Sequence, residues 1–171
     1  MTPVAGWTIE RMAPAGWERV RAIRLRALAD APDAFGTTLA EDEARPPGEW
    51  RARLEHPAAA TFVATADGRD VGLATGRGWE GRDDVAGLFG MWVAPESRRL
   101  GIGQGLVDAV VGWARSAGYA RVLLDVADGN IPASRLYGSR GFEANGVTGS
   151  LPAPRQHILE RQMALELRRG P

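Results

Sequence analysis

The stretch "DDVAGLFGMWVAP", residues 83–95, runs into a glycine loop, then an apolar periodic segment, then "ARVLLDVA", residues 120–127. No other part of the chain restricts the fold as strongly. The first stretch reads as a strand stopped by Pro95. Leu106, Val107, Val110, Val111 and Ala114 recur at helical spacing, which predicts a helix from about Gly103 to Ala117, ended by Gly118. The last stretch is continuously apolar, the pattern of a strand covered on both faces. Two strands joined through a helix lie parallel, because the crossover carries the chain back to the same end of the sheet. A parallel pair is therefore expected between 85–93 and 121–126.

The flanks add elements of another kind. "WTIERM" (7–12) reads as a short strand. "AGWERVRAIRLRALAD" (15–30) sets Trp17, Val20, Ile23, Leu25 and Leu28 at near-helical spacing. Residues 31–50 are turn-rich, with a second helix after Pro47 ending near Glu55. "ATFVATA" (60–66) and "RDVGLATGRGW" (69–79) form a hairpin about Asp67–Gly68. "IPASRLYGSR" (131–140) is a short helix with proline in its first turn, closed by Gly141. "ILERQMALEL" (158–167) alternates and reads as the last strand. The expected class is α/β, with a mixed sheet that starts antiparallel and becomes parallel at its centre. At 171 residues, one domain over 1–171 suffices to bury a core.

Composition narrows the chemistry. Cysteine is absent and His56 and His157 are the only histidines, which argues against disulfides, thiolate metal sites and a cysteine nucleophile; no metal is expected. All 21 basic residues are arginine, so a Walker phosphate loop and Schiff-base chemistry are excluded. A formal net charge of zero gives no bulk attraction to nucleic acid or anionic membrane. No apolar run reaches 18 residues and no leader pattern opens the chain, so a cytoplasmic protein is expected.

The loop "ESRRLGIGQGLV" (96–107) leaves backbone N–H groups unpaired at a helix start, with the helix dipole behind them. Such a site binds phosphate, and Arg98 and Arg99 can add charge. A plain glycine-rich turn is the bland alternative. The dinucleotide fingerprint fits at Gly101 and Gly103, with Asp125 as its acid, but residue 106 is Leu and "PESRRL" separates loop from strand.

A second motif bears on the choice. "NIPASRLYGSRGF" (130–142) carries Asn130, Ala133, Leu136, Tyr137, Gly141 and Phe142 at fixed offsets. Together with Arg98, Gly101 and Gly103 in "RRLGIG", it resembles the GNAT superfamily of N-acetyltransferases. The resemblance implies a GNAT-like mixed, mostly antiparallel sheet with a parallel splayed centre flanked by helices. It implies acetyl-CoA as co-substrate, its pyrophosphate on backbone N–H groups from Arg99 through Leu100, Gly101, Ile102 and Gly103 to Gln104. Gly90 is expected to mark a bulge, with backbone of Met91, Trp92 and Val93 pairing the pantetheine arm and an N–H near Val93 polarising the thioester. Asn130 and Ala133 are implied to contact the cofactor, although Asn130 also suits a helix cap and Ala133 needs no special reason in a helix. Tyr137 is implied to give a proton or hydrogen bond to the departing sulfur; a core aromatic is the alternative.

The implied activity is direct acetyl transfer to a primary amine of a small molecule or protein. A non-catalytic acyl-CoA-binding or regulatory module on the same fold is the competing reading. The strand "VAGLFGMWV" lacks the glutamate that several relatives carry, so no base is assigned. Glu80, Asp83, Asp84 and Glu160 are candidates, each read as a solvated charge. Phe35, Trp79 and "AEDEAR" (40–45) fall where acceptor loops lie in that superfamily; those acids could draw a cationic amine, the bland alternative being a charged loop that is only solvated. His56 and His157 are read as incidental. The identity of the acceptor and a homodimer are both left open.

Overall fold

A computed structural model of the chain describes residues 6–167. Its strands are β1 (Trp7–Arg11), β2 (Ala59–Ala66), β3 (Arg69–Trp79), β4 (Arg82–Val93), β5 (Arg121–Ala127), β6 (Glu143–Ser150) and β7 (Leu159–Glu166). Its helices are α1 (Trp17–Asp30), α2 (Leu39–Glu43), α3 (Pro47–Glu55), α4 (Ile102–Ser116) and α5 (Ile131–Ser139). The strands form one sheet in the order β1-β2-β3-β4-β5-β7-β6. Every neighbouring pair is antiparallel except β4 and β5. The parallel pair predicted from the helical crossover is therefore present.

Glycines on β3 reveal which face each helix covers. A Cβ on Gly72 would meet Leu106 and Ile102, and one on Gly76 would meet Trp113 and Val110. Even positions of β3 thus rest on α4, and by alternation odd positions face the side where α1 packs on β3 and β4. The inner stripe of α4 is fully apolar: Ile102, Leu106, Val107, Val110 and Ala114 are buried. Each large side chain there contributes about 1.5–3 kcal/mol by leaving water.

The centre of the sheet is open by construction. β4 pairs with β5 at Val85–Arg121, Ala86–Val122 and Gly87–Leu123 only, although both strands continue. Between Leu73 and Thr75 of β3, β4 advances from Trp92 to Phe89, one residue too many. The extra residue is a β-bulge, and Gly90 within it takes φ +62, a conformation that glycine adopts without strain. The bulge bends β4 away from β5.

Three features depart from the sequence expectation. β6 was not foreseen; its residues are all exposed, so "EANGVTGS" shows no apolar alternation. The last strand, β7, which the sequence left without a place in the sheet, lies between β5 and β6. Within the turn-rich segment, Thr38 and Glu41 form a reciprocal capping box that starts α2. Smaller shifts affect the ends: Pro14–Gly16 is a tight turn, so α1 begins at Trp17. Among the described residues no helix is long and apolar enough to cross a membrane.

Candidate active site

One continuous cleft of about 2120 Å³ follows the gap between β4 and β5. Its floor at one end is the start of α4. Gly101, at φ +84, caps that helix without any side-chain acceptor, so the first N–H groups of α4 stay bare. Trp7 of β1 fixes the loop by donating from Nε1 to the Leu100 carbonyl at 3.0 Å. A Cβ on Gly103 would come 3.1 Å from Leu136 and 3.3 Å from Met91, so the backbone closes on the cleft wall only because that residue is glycine. Bare donors at a dipole's positive end, beside a split sheet, suit the pyrophosphate and pantetheine of a CoA thioester.

The expected binding residues gather here with two exceptions. Met91, Trp92, Val93, Arg98, Arg99, Gly101, Gly103, Gln104, Asn130, Ala133 and Tyr137 all line the cleft. Ile102 instead points into the core at 1% exposure, and the exposed Leu100 stands outside the lining. Only their backbone N–H groups can serve an anion. Trp92 likewise buries its side chain, donating from Nε1 to Asp30 at 2.9 Å.

The Arg98 side chain was expected to add charge to an anion. It is engaged elsewhere: Nε donates to the Val93 carbonyl at 3.0 Å and Nη2 to Asp30 at 3.0 Å. Arg98 thereby ties the end of β4 to the end of α1, a positioning task the motif alone does not announce. Arg99 adopts φ +64 and is exposed. Asn130 caps α5, its Oδ1 accepting from the Ala133 N–H at 3.2 Å.

Tyr137 lies on α5, 7% exposed, edge-on to Phe142 with centroids 6.0 Å apart. It lines the cleft, and no protein group among the described residues bonds its hydroxyl. Burial raises its phenol above the usual tyrosine value, so the hydroxyl stays protonated. An unengaged, protonated phenol facing the gap is a ready hydrogen-bond donor.

The acidic candidates divide. Asp83 and Asp84 are exposed and outside the cleft, as solvated charges should be. Glu80 lines its rim. Glu160 differs from expectation: it is half-buried on β7, within the cleft. Burial first, and the Asp125 carboxylate second, push its carboxyl above the usual glutamate range, with Arg155 opposing. Register sets Asp125 opposite Gln162 and Ala127 opposite Glu160, so both acids project from one face. Gln162 donates to Asp125 at 3.3 Å and accepts from Asn145 at 2.8 Å. Alternation along "ILERQMALEL" was legible, but not which strand it would lie beside.

At the far end, Phe35 and Trp79 line the cleft as expected, Trp79 stacked on Phe89 at 5.7 Å. The acids of 40–45 do not. Asp42 is fully buried, its carboxylate bonded by Arg24 at 3.0 Å and by Arg45 at 3.0 Å. Desolvation alone would raise its carboxyl, but those two guanidiniums outweigh it and hold it below the usual aspartate range. Glu41 is spent on the cap of α2. The expected attraction of a cationic amine by this segment is therefore corrected: its central charge is neutralised inside the protein. His56 accepts from the Ala58 N–H through Nδ1 at 3.1 Å, and His157 is exposed. Among the described residues no cluster of side chains could hold a metal ion.

Known proteins share this fold. The chain is 31% identical over 156 residues to mycothiol acetyltransferase of Thermomonospora curvata, which covers 89% of the chain and 49% of the relative. The chain spans about half the length of the curated relatives it matches. Among solved structures, a GNAT-family acetyltransferase of Streptococcus pneumoniae superposes at TM-score 0.79 with 20% identity, covering 95% of this chain and 99% of that one. The Salmonella typhimurium protein yncA, solved with its cofactor acetyl-CoA, gives 0.78 with 19% identity over 96% of each chain. A model of the acetyltransferase (GNAT) family matches residues 21–142, and with the split sheet, the bare helix start and both motifs in one cleft, the chain belongs to that family.

Proposed function

We propose that the protein moves an acetyl group from acetyl-CoA directly to a primary amine. One observation carries this reading: the gap between β4 and β5 leads from the bare N–H groups of α4 to the unengaged hydroxyl of Tyr137. The thioester supplies the activated acetyl group; the chain's residues bind, orient and handle protons. Beyond Gly87, β4 stays paired with β3 but its edge toward β5 has no partner strand among the described residues, so N–H groups near Val93 on that edge can pair the pantetheine arm and polarise the thioester carbonyl. Glu160, whose carboxyl is raised by burial above the usual glutamate range, is the cleft carboxylate suited to receive the amine proton. Tyr137 serves the sulfur. Its phenol lies further above a thiol's usual ~8.5 than an exposed tyrosine's would, which favours donating a hydrogen bond over surrendering the proton. The absence of cysteine supports direct transfer without a thioester on the enzyme. The cytoplasm, which holds acetyl-CoA, is the compartment this reading requires.

The test is CoA release with a panel of amines and peptides. Because the chain has no cysteine, a thiol reagent reports free CoA alone. Amine-dependent release with an N-acetylated product by mass spectrometry is expected. Tight acetyl-CoA binding without release on any amine would replace this reading with a non-catalytic acyl-CoA-binding module. Failure to bind CoA would end both.

A further inference from the structure

The end of the cleft away from α4 is lined by cations. Arg24 of α1 uses Nε on Asp42 and Nη2 on Thr37 at 2.9 Å. Its remaining nitrogen, Nη1, lies 2.8 Å from where a Cβ on Gly90 would stand, at the bulge itself. Arg53 of α3 and Arg77 of β3 line the same cleft, and neither has an ion pair or side-chain hydrogen bond among the described residues. Each guanidinium lies over an aromatic ring: Arg24 over Phe35 at 4.6 Å, Arg53 over Trp50 at 5.7 Å and Arg77 over Phe89 at 4.1 Å. Such faces hold a guanidinium plane in position; Arg24 is partly buried, while Arg53 and Arg77 are open to solvent at the cleft mouth.

Two further observations point to a missing counterpart. Trp50 lines this part of the cleft, and its Nε1 is a buried donor that has no partner among the described residues. The buried counter-ion nearby, Asp42, is already shared between Arg24 and Arg45. Desolvation, then the charge of Arg45, lower Arg53 from the usual arginine value; Asp42 opposes, while Arg24 and Arg77 add to the lowering. The acids across the cleft do not answer this charge. Asp30 is occupied by Arg98 and Trp92, Asp125 and Glu160 project from β5 and β7, and Glu80 at the rim is exposed and forms no ion pair with these arginines among the described residues.

We propose that the acceptor is a primary amine whose own molecule carries an anionic oxygen group, carboxylate or phosphate, seated on Arg24, Arg53 and Arg77. This rests on the acetyl-transfer reading above and names the class of its acceptor. The amine lies toward Glu160 and the anion toward the arginines, so the two ends of the acceptor meet opposite charges. A guanidinium fork matches the paired oxygens of either anion.

Matched acceptors test it: glutamate against its diamide, and O-phosphoethanolamine against ethanolamine, the two pairs separating carboxylate from phosphate. The anionic member of at least one pair should have the higher kcat/KM, by roughly ten-fold or more, as charge-assisted contacts imply. In Arg53→Gln and Arg77→Gln, whose guanidiniums hold no other element in place, that ratio should collapse toward one. Calorimetry with N-acetylglutamate and its diamide reads the same preference without turnover. Equal use of both members of both pairs, a ratio untouched by the two variants, or variants that weaken CoA binding would each overturn the proposal. If no amine is turned over, the acetyl-transfer reading fails, and calorimetry still decides the anion site: preference for N-acetylglutamate over its diamide, or for N-acetyl-O-phosphoethanolamine over N-acetylethanolamine, sustains it, and equal binding within both pairs ends it.

Discussion

Replacing Asp42 by asparagine keeps the shape of a fully buried side chain and removes its charge. In the native protein Oδ2 accepts from Arg24 Nε at 3.0 Å, and Oδ1 accepts from Arg45 Nη2 at 3.0 Å and Nε at 3.3 Å. Asparagine can satisfy one guanidinium, but its amide nitrogen then turns a donor toward the other. Breaking a buried ion pair by removing one partner costs about 3–5 kcal/mol. The two arginines retain 15% and 17% side-chain exposure, so water relieves part of the loss and the lower end applies, about 3 kcal/mol. For a chain of this size each kcal/mol moves Tm by roughly 2–4 °C, so a fall of roughly 6–12 °C is expected. The effect depends on pH with a definite sign. The folded-state pKa of Asp42 is depressed, so its contribution is present above the unfolded value of about 3.9 and is lost as pH falls through the folded value. Thermal unfolding followed by circular dichroism at several pH values measures both points. The wild-type advantage should be full at pH 6–7 and shrink below about pH 4. A Tm within about 2 °C of wild type at neutral pH, or a gap unchanged at pH 3, would refute this account of the cluster.

Three further outcomes concern the chemistry. Tyr137→Phe removes a hydroxyl that bonds nothing among the described residues, so Tm should hold while kcat falls by roughly 10–100-fold, the worth of one hydrogen bond to a developing charge; an unchanged kcat, where chemistry limits turnover, would make it a packing residue. Gly103→Asp sets a carboxylate at the bare start of α4 and should weaken CoA binding by about ten-fold or more by calorimetry, whereas Gly103→Ala, which need only displace the ends of Leu136 and Met91, should weaken it less. Glu160→Gln should cut kcat/KM by roughly 100-fold and remove an ionisation from the acid limb of the pH profile. Because the raised carboxyl makes its charged form costly in the fold above that pKa, the same variant should also raise Tm at neutral pH; a lower Tm would contradict the burial argument.

Local chemistry made the centre of the molecule readable. The β4–α4–β5 unit, the bulge glycine and the bare start of α4 each follow from residues adjacent in sequence, and each stands where the pattern put it. Other features depend on neighbours far along the chain. The β6 segment carries no apolar alternation because it is an exposed outer strand. Nothing within "ILERQMALEL" says that it will separate β5 from β6, so Glu160 was legible as a candidate base, read as a solvated charge, but not as a half-buried cleft residue on the same face as Asp125. Arg24 reads as one more polar residue on an amphipathic helix until Asp42, 18 residues on, is found beneath it. Arg98 was legible as a motif residue but not as a brace, since its partner Asp30 is 68 positions away.

The short ladder between β4 and β5 makes the sheet two plates that share a seam only three residue pairs long. On one side lie β1 to β4, backed by α4; on the other lie β5, β7 and β6. A ligand bound across the gap would act as the rungs the ladder lacks, so the mechanical continuity of the sheet becomes conditional on occupancy. The amides of 89–93 and 125–127 that face the gap, not those bonded to β3 or β7, should then exchange with solvent as an open edge in the free protein and as interior ladder once loaded, which joins the firmness of the fold to the supply of its own substrate.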